Sequence, residues 1–167
     1  MSVVELYLFL FLAAFTLHNL EEFIWLPSWY KKHKGLERKE FGVAVLIVTL
    51  LSYIVVFLYH VNPSNSYFKF AVIGFLGGMI INVFLPHTLE TIRTKSYMPG
   101  LTTGVLLLLP VNGYTLFRFV KDGVSMWYVV ASSLVVGILL IGVIALTFKL
   151  WKVFTSTSSQ HNNTLKK

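Results

Sequence analysis

The sequence predicts an all-α fold, a polytopic bundle of about five transmembrane helices. Three observations carry this expectation. Of the 167 residues, 56% are hydrophobic and only 13% are charged, against about 25% charged in an average soluble domain. The mean hydropathy is +0.72. Five apolar segments reach the roughly 20 residues of helix that a bilayer core requires.

The first segment runs from Val3 to Leu26 and is read as a retained helix. It lacks the basic start and small-residue cleavage pattern of a signal peptide. The second is Phe41 to Val61, the third Tyr67 to Ile92, the fourth Leu101 to Val120 and the fifth Ser125 to Leu150. Residues 1–152 form the transmembrane domain, and residues 153–167 read as a polar, disordered cytoplasmic tail. Gly74 and Gly78 on the third helix, and Ser133 and Gly137 on the fifth, are spaced for close helix packing. Pro110 should kink the fourth helix, with Asn112 and Gly113 beside it to help satisfy the freed carbonyl.

Charge sets the expected orientation. With the N-terminus outside, Lys31, Lys32, Lys34, Arg38, Lys39, Arg93, Lys95, Lys149, Lys152, Lys166 and Lys167 fall on the cytoplasmic side. Lys69, Arg118 and Lys121 fall outside, a bias that follows the positive-inside rule. Trp25, Trp29, Tyr30, Tyr97 and Trp151 then lie near the inner interface. The net charge of +7 is accounted for by these flanks, so no nucleic-acid partner is implied. The partners expected are membrane lipids. The absence of cysteine excludes disulfides, iron–sulfur clusters and thiolate chemistry.

The chemistry is concentrated in the first and third helices. His18, Glu21 and Glu22 are spaced i, i+3 and i+4, which places them on one helix face within a turn. Leu20, Phe23 and Ile24 occupy the other face. Ionisable groups at membrane depth are costly, so these should face the bundle interior and pair or bind something. "FTLHNLE" at Phe15–Glu21 resembles "FLPHTLE" at Phe84–Glu90, and both lie in the last third of their helices as read. The short repeat suggests two related hairpins, helices 1–2 and 3–4, plus an added fifth helix. Helices one and three would be parallel, with His18 and His87 at similar depth near the cytoplasmic leaflet.

Face to face, the two His-x-x-Glu pairs offer His18, Glu21, Glu22, His87 and Glu90 as ligands for a divalent metal. Imidazole with carboxylate suits zinc, iron or manganese. Without metal, the same groups could exchange protons as acid and base. Blander readings stand beside these: a purely structural hydrogen-bonded network, or interfacial snorkelling, above all for Glu90 near Arg93. His60 reads as interfacial, and His33 and His161 as solvated. The run "KKHKGLERKE" reads as a headgroup-facing loop.

His18-Asn-Leu-Glu21-Glu22, a later histidine at His87, and Tyr97-Met-Pro99-Gly100 occur in that order. Together they resemble the HXXEE-domain family of small bacterial membrane proteins, over about residues 5 to 120. The resemblance implies a membrane protein, with His18, Glu21, Glu22, His87, Tyr97, Pro99 and Gly100 as its motif residues. It carries no established function, although an enzymatic one has been suggested. Physically, Pro99 and Gly100 suit a turn into the fourth helix. Tyr97 could point at the site or anchor in the headgroups.

The leading expectation is an intramembrane enzyme near the cytoplasmic leaflet, acting on a lipid, a prenyl-type molecule or a membrane-embedded peptide. His18, Glu21, Glu22, His87 and Tyr97 are its candidate catalytic residues. Hydrolase, transferase and isomerase chemistry all remain open, since no Gly-x-Ser-x-Gly, His-Glu-x-x-His or nucleotide-binding loop is present. The alternatives are a metal- or proton-linked carrier or sensor, and a small structural subunit of a membrane complex.

Overall fold

The computed structural model describes the backbone of residues 2–35 and 40–164, and the side chains of 2–35 and 40–155. Arg38, Lys39, Lys166 and Lys167 lie outside the described residues, as does the side chain of His161; the backbone of the tail expected to be disordered is helical as far as Thr164.

Among the described residues, five helices are long and apolar enough to cross a membrane, and they make up the fold. They are Val3–Lys34, Phe41–Val61, Ser66–Thr94, Leu101–Lys121 and Met126–Thr164, here called spans 1 to 5. Spans 2 and 4 match the sequence reading to within a residue.

Span 1 is longer than read. Its start is fixed by a capping box: the Ser2 hydroxyl accepts from the Glu5 amide, and the Glu5 carboxylate accepts from the Ser2 amide. The helix then continues through Pro27 to Lys34 and stops at Gly35, whose φ of 63° is easy for glycine. Pro27 removes one amide donor without ending the helix, because packing beyond it holds the last turns in place. Leu26 and Trp29 bury against Met98, and His33 stacks on Trp29 with ring centroids 4.8 Å apart. His18 therefore stands near the middle of its helix, not in the last third.

The spans alternate in direction. Lys34 meets Glu90 at 2.9 Å and the Phe41 ring meets Phe148, so the two connections after spans 1 and 3 lie at one end. At the other end Glu5 meets His60 at 3.1 Å, and the Tyr128 hydroxyl donates to the Ser66 carbonyl.

Spans 1 and 3 form the centre. Span 1 packs along spans 2 and 4, and span 3 along span 5. Between spans 1 and 3 the contact is made by large side chains: Phe11 and Phe15 both set their rings against Phe75. The crossing of spans 3 and 5 is tight, as the small residues led one to expect. A Cβ on Gly77 would fall 1.8 Å from Ser133 Oγ, and one on Gly78 only 3.4 Å from Gly137 Cα. Such approach raises dispersion contact where lipid supplies no hydrophobic drive between helices. The outward faces are apolar, with Phe57, Leu106, Ile138 and Ile141 all more than 60% exposed. That inverted pattern suits a hydrocarbon surrounding and not water.

One expectation about span 4 is corrected. The Asn112 amide does not serve its own helix; it donates to the Leu76 carbonyl on span 3 at 3.0 Å. A buried amide takes whichever carbonyl faces it, and here that carbonyl belongs to the neighbouring span. Gly113 has no side-chain neighbour where a Cβ would be. A wide turn over Gly104–Leu108 precedes Pro110.

Candidate functional site

The helical spacing of span 1 delivers its polar face inward. His18, Glu21 and Glu22 are buried, while Leu20, Phe23 and Ile24 are about half exposed on the outside. His87 arrives by a different route. Span 3 is regular over Ser66–Asn82, opens into a wide turn over Val83–Thr88, and resumes over Leu89–Thr94. Leu85 in that turn is extended, at φ −129° and ψ 102°. Pro86 has no amide to donate, so the helical ladder is interrupted there. The Thr88 hydroxyl donates to the Val83 carbonyl at 2.9 Å and satisfies part of the break. The bend turns Phe84 and Leu85 outward and His87 into the bundle.

Glu22 lies between the two imidazoles. Its Oε1 is 2.8 Å from His87 Nε2 and 3.5 Å from His18 Nε2. The rings meet edge to face with centroids 5.2 Å apart. One ligand-type atom from each of His18, Glu22 and His87 falls within 4.8 Å of the others, and all three residues are buried. Asn82 Nδ2 is also 3.2 Å from His87 Nε2.

Glu21 is held by the turn before span 4. Its Oε1 accepts from the Gly100 amide at 2.8 Å and from the Tyr97 hydroxyl. Its Oε2 accepts from the Thr103 hydroxyl at 2.6 Å and the Thr103 amide at 3.2 Å. This cradle gives the Tyr-x-Pro-Gly segment its physical sense. Gly100 has a φ of 96°, which other residues rarely adopt. A Cβ there would also lie 2.5 Å from His87 Cε1 and 3.0 Å from His18 Cε1. Burial, and then the bond to Glu21, raises the Tyr97 hydroxyl above its ordinary pKa, so it remains a donor at neutral pH.

Thr103 links the two halves. Its single hydroxyl proton goes to Glu21, so it accepts from His18 Nδ1, 3.1 Å away. That assignment puts the His18 proton on Nδ1 and leaves the Nε2 lone pair facing Glu22 and His87. His18 Nε2 is buried without a hydrogen-bond partner among the described residues. An imidazole whose second nitrogen is fixed by a carboxylate-linked partner is the usual outer-shell arrangement of a metal-binding histidine.

The donor set fits a cation. Three donors each about 2.1 Å from one ion stand about 3.4 Å apart at tetrahedral angles. The two separations from Glu22 bracket that value, and the His18 and His87 ligand atoms lie within 4.8 Å of each other. Two imidazoles and one carboxylate suit zinc, iron or manganese, and three protein ligands leave a position open.

The other sequence candidates are placed differently. Tyr97 reaches the site through Glu21. Glu90 is directed to the bundle end, where it pairs with Lys34 and more loosely with Arg93 at 3.7 Å. The two His-x-x-Glu segments thus differ: the first lies on a continuous helix, the second straddles the bend. His60 pairs with Glu5 at the far end, and His33 packs on Trp29. Sequence reasoning missed Thr103 and Asn82, whose residue types carry no metal-ligand signal. It also passed over Pro86, although a proline directly before His87 was a visible sign that the helix would break there.

A family model described as "Protein of unknown function with HXXEE motif" matches residues 9–115. The uncharacterized protein YrkK of Bacillus subtilis (strain 168) is 41% identical over 144 residues, covering 83% of this chain and 91% of its own. No solved structure shows significant similarity to the chain. The fold has now placed His18, Glu21, Glu22, His87, Tyr97 and Gly100 around one centre, and the family match spans all of them. The chain belongs to the family of proteins of unknown function that carry the HXXEE motif.

Proposed function

We propose that this protein is an intramembrane enzyme whose reactive centre is His18, Glu22 and His87, acting on a membrane-embedded substrate. The observation that carries the reading is the convergence of three buried ligand-type atoms within 4.8 Å, with the second nitrogen of His18 fixed through Thr103 and Glu21. Structural glue needs no such outer support.

His18, Glu22 and His87 would hold a divalent zinc, iron or manganese ion. Bound there, such an ion would polarise a carbonyl or phosphoryl oxygen and lower the pKa of a water. The chain's own groups have separate tasks. Glu21 and Thr103 keep the His18 proton on Nδ1. Where no ion is held, the Glu22 carboxylate, 2.8 Å from His87 Nε2, is placed to take a proton from a nucleophile or return one to a leaving group. The apolar outer faces of spans 1 and 3 exclude bulk water, which strengthens each polar contact inside.

Metal analysis of the detergent-purified protein beside His18→Ala tests this. Stoichiometric metal in the wild type and its loss in a folded variant is the expected result. A metal-free wild type whose variants only melt earlier would move the site to a structural role.

A second reading, a proton- or metal-linked carrier, draws on the break at Leu85–Pro86. Discontinuous helices beside ionisable groups mark transport sites in membrane proteins. The bias of basic residues supports placing the site's 95–100 turn on the cytoplasmic side, and the Bacillus relative supports a bacterial plasma membrane.

A further inference from the structure

Glu22 and His87 also line a cavity of about 450 Å³ enclosed by spans 1, 2, 3 and 5. Its wall is mostly apolar, with Leu26, Val45, Val48, Met79, Ile138 and Ile141 among the lining side chains. The few polar groups include Asn19, Asn82 and Ser133 beside the two site residues. Ile138 and Ile141 are 68% and 69% exposed, so the same side chains that line the cavity lie on the outer, lipid-facing surface. The cavity is therefore open sideways along span 5.

Volume and chemistry narrow the occupant. At about 30 Å³ for each water-sized group, the share one water takes in the liquid, about 450 Å³ holds a chain of about 15 such groups. That is one lipid chain, not two. A peptide is a poor fit, because each residue brings an amide and a carbonyl that need partners, and the wall offers few. In protein stripped of metal, the Glu22 carboxylate in the wall disfavours a free carboxylate beside it.

We propose that this cavity receives one long acyl chain, entering from the bilayer beside span 5, with a neutral ester head against Glu22 and His87. This names a substrate class for the centre described above and rests on that reading for its chemistry. The tail site itself rests on the cavity.

The test uses the full-length protein in phosphatidylcholine vesicles with a methyl hexadecanoate carrying a mid-chain diazirine. After illumination, cross-links are mapped by peptide mass spectrometry. Labelling should concentrate on Val45, Met79 and Ile138, and excess unlabelled methyl hexadecanoate should suppress it in the wild type. Ala44→Phe, which adds bulk at a buried lining position, should reduce it about tenfold, in keeping with the cost of overfilling a packed site. Leu46→Phe, on the exposed face of the same helix, should leave it unchanged. Labelling spread over Phe57 and Leu106, indifferent to competitor, would overturn the tail site. In chelator-stripped protein, competition by hexadecanoate as strong as by its ester would overturn the neutral head. A second probe, a phosphatidylcholine with the diazirine in one chain, separates the sources: labelling by it at the same residues assigns the chain to a bilayer phospholipid, and its absence to a single-chain ester. Cavity labelling in a protein that holds no metal and turns nothing over supports the tail site while removing the catalytic reading. Bound metal without cavity labelling does the reverse.

Discussion

Glu21 and Glu22, adjacent in the chain, serve two different networks. Glu22 Oε1 lies 2.8 Å from His87 Nε2, while both oxygens of Glu21 are taken by the turn that opens span 4. The helix explains the division. Successive residues turn by about 100°, so both can face inward while pointing at different neighbours. The doubled glutamate thus supplies one ligand-type group and one group that orients His18.

The two glutamates should therefore fail differently. Glu22→Gln removes the central donor, and its bound metal should fall to background. The fold should survive, since hydrogen bonds inside membrane bundles average about 0.6 kcal/mol. Glu21→Gln should keep some metal but bind it more weakly. Metal analysis and thermal unfolding on the same purified samples separate the two. Equal loss from both variants would remove the division of labour.

Thr103 should behave as a positioning residue. Thr103→Val keeps the shape but breaks the link from Glu21 to His18 Nδ1, and metal affinity should drop about 10- to 100-fold. Thr103→Ser keeps the hydroxyl and should restore most of it. Competition with a chelator measures both. A valine variant with wild-type affinity would show that the His18 tautomer needs no help from this side chain.

Gly100 should tolerate no side chain. Gly100→Ala places a Cβ 2.5 Å from His87 Cε1 and forces a left-handed residue, which alone costs about 1–2 kcal/mol. Both the melting temperature and the metal content should fall, because the strain presses on the two imidazoles directly. Gly113→Ala, with open space around it, serves as the control and should change neither.

Much of this arrangement was legible in the sequence. Apolar segments of membrane length gave the five spans, and the i, i+3, i+4 spacing gave the inward face of span 1. Small residues at 74, 78, 133 and 137 marked the tight crossing. The bounds of span 1 were less legible, because Pro27 reads as a stop, whereas the packing of Trp29 on Met98 and of His33 on Trp29 carries the helix past it. Glu90 was misleading for a related reason. Its spacing from His87 is helical, yet the bend beside Pro86 and the reach of Lys34 take its carboxylate to the bundle end. Thr103 was invisible, since its role depends on a contact across 82 residues of chain.

Topology is open to a direct test, since the chain has no cysteine of its own. The ion pair of Lys34 with Glu90, and the Phe41–Phe148 contact, put the two connections after spans 1 and 3 at one end. Lys32, Arg93 and Lys95 share that end, whereas Lys121 lies at the other, with all four side chains exposed or partly so. Basic residues near span ends are retained on the cytoplasmic side. Lys32→Cys and Lys95→Cys should thus resist an impermeant maleimide in intact cells and react once the membrane is opened. Lys121→Cys should react in intact cells. Protection at 121 with labelling at 32 and 95 would invert the protein and place the His18–Glu22–His87 centre nearer the outer leaflet. Labelling of 32 and 95 on opposite sides would contradict the fold itself, since one ion pair ties their two spans together at that end.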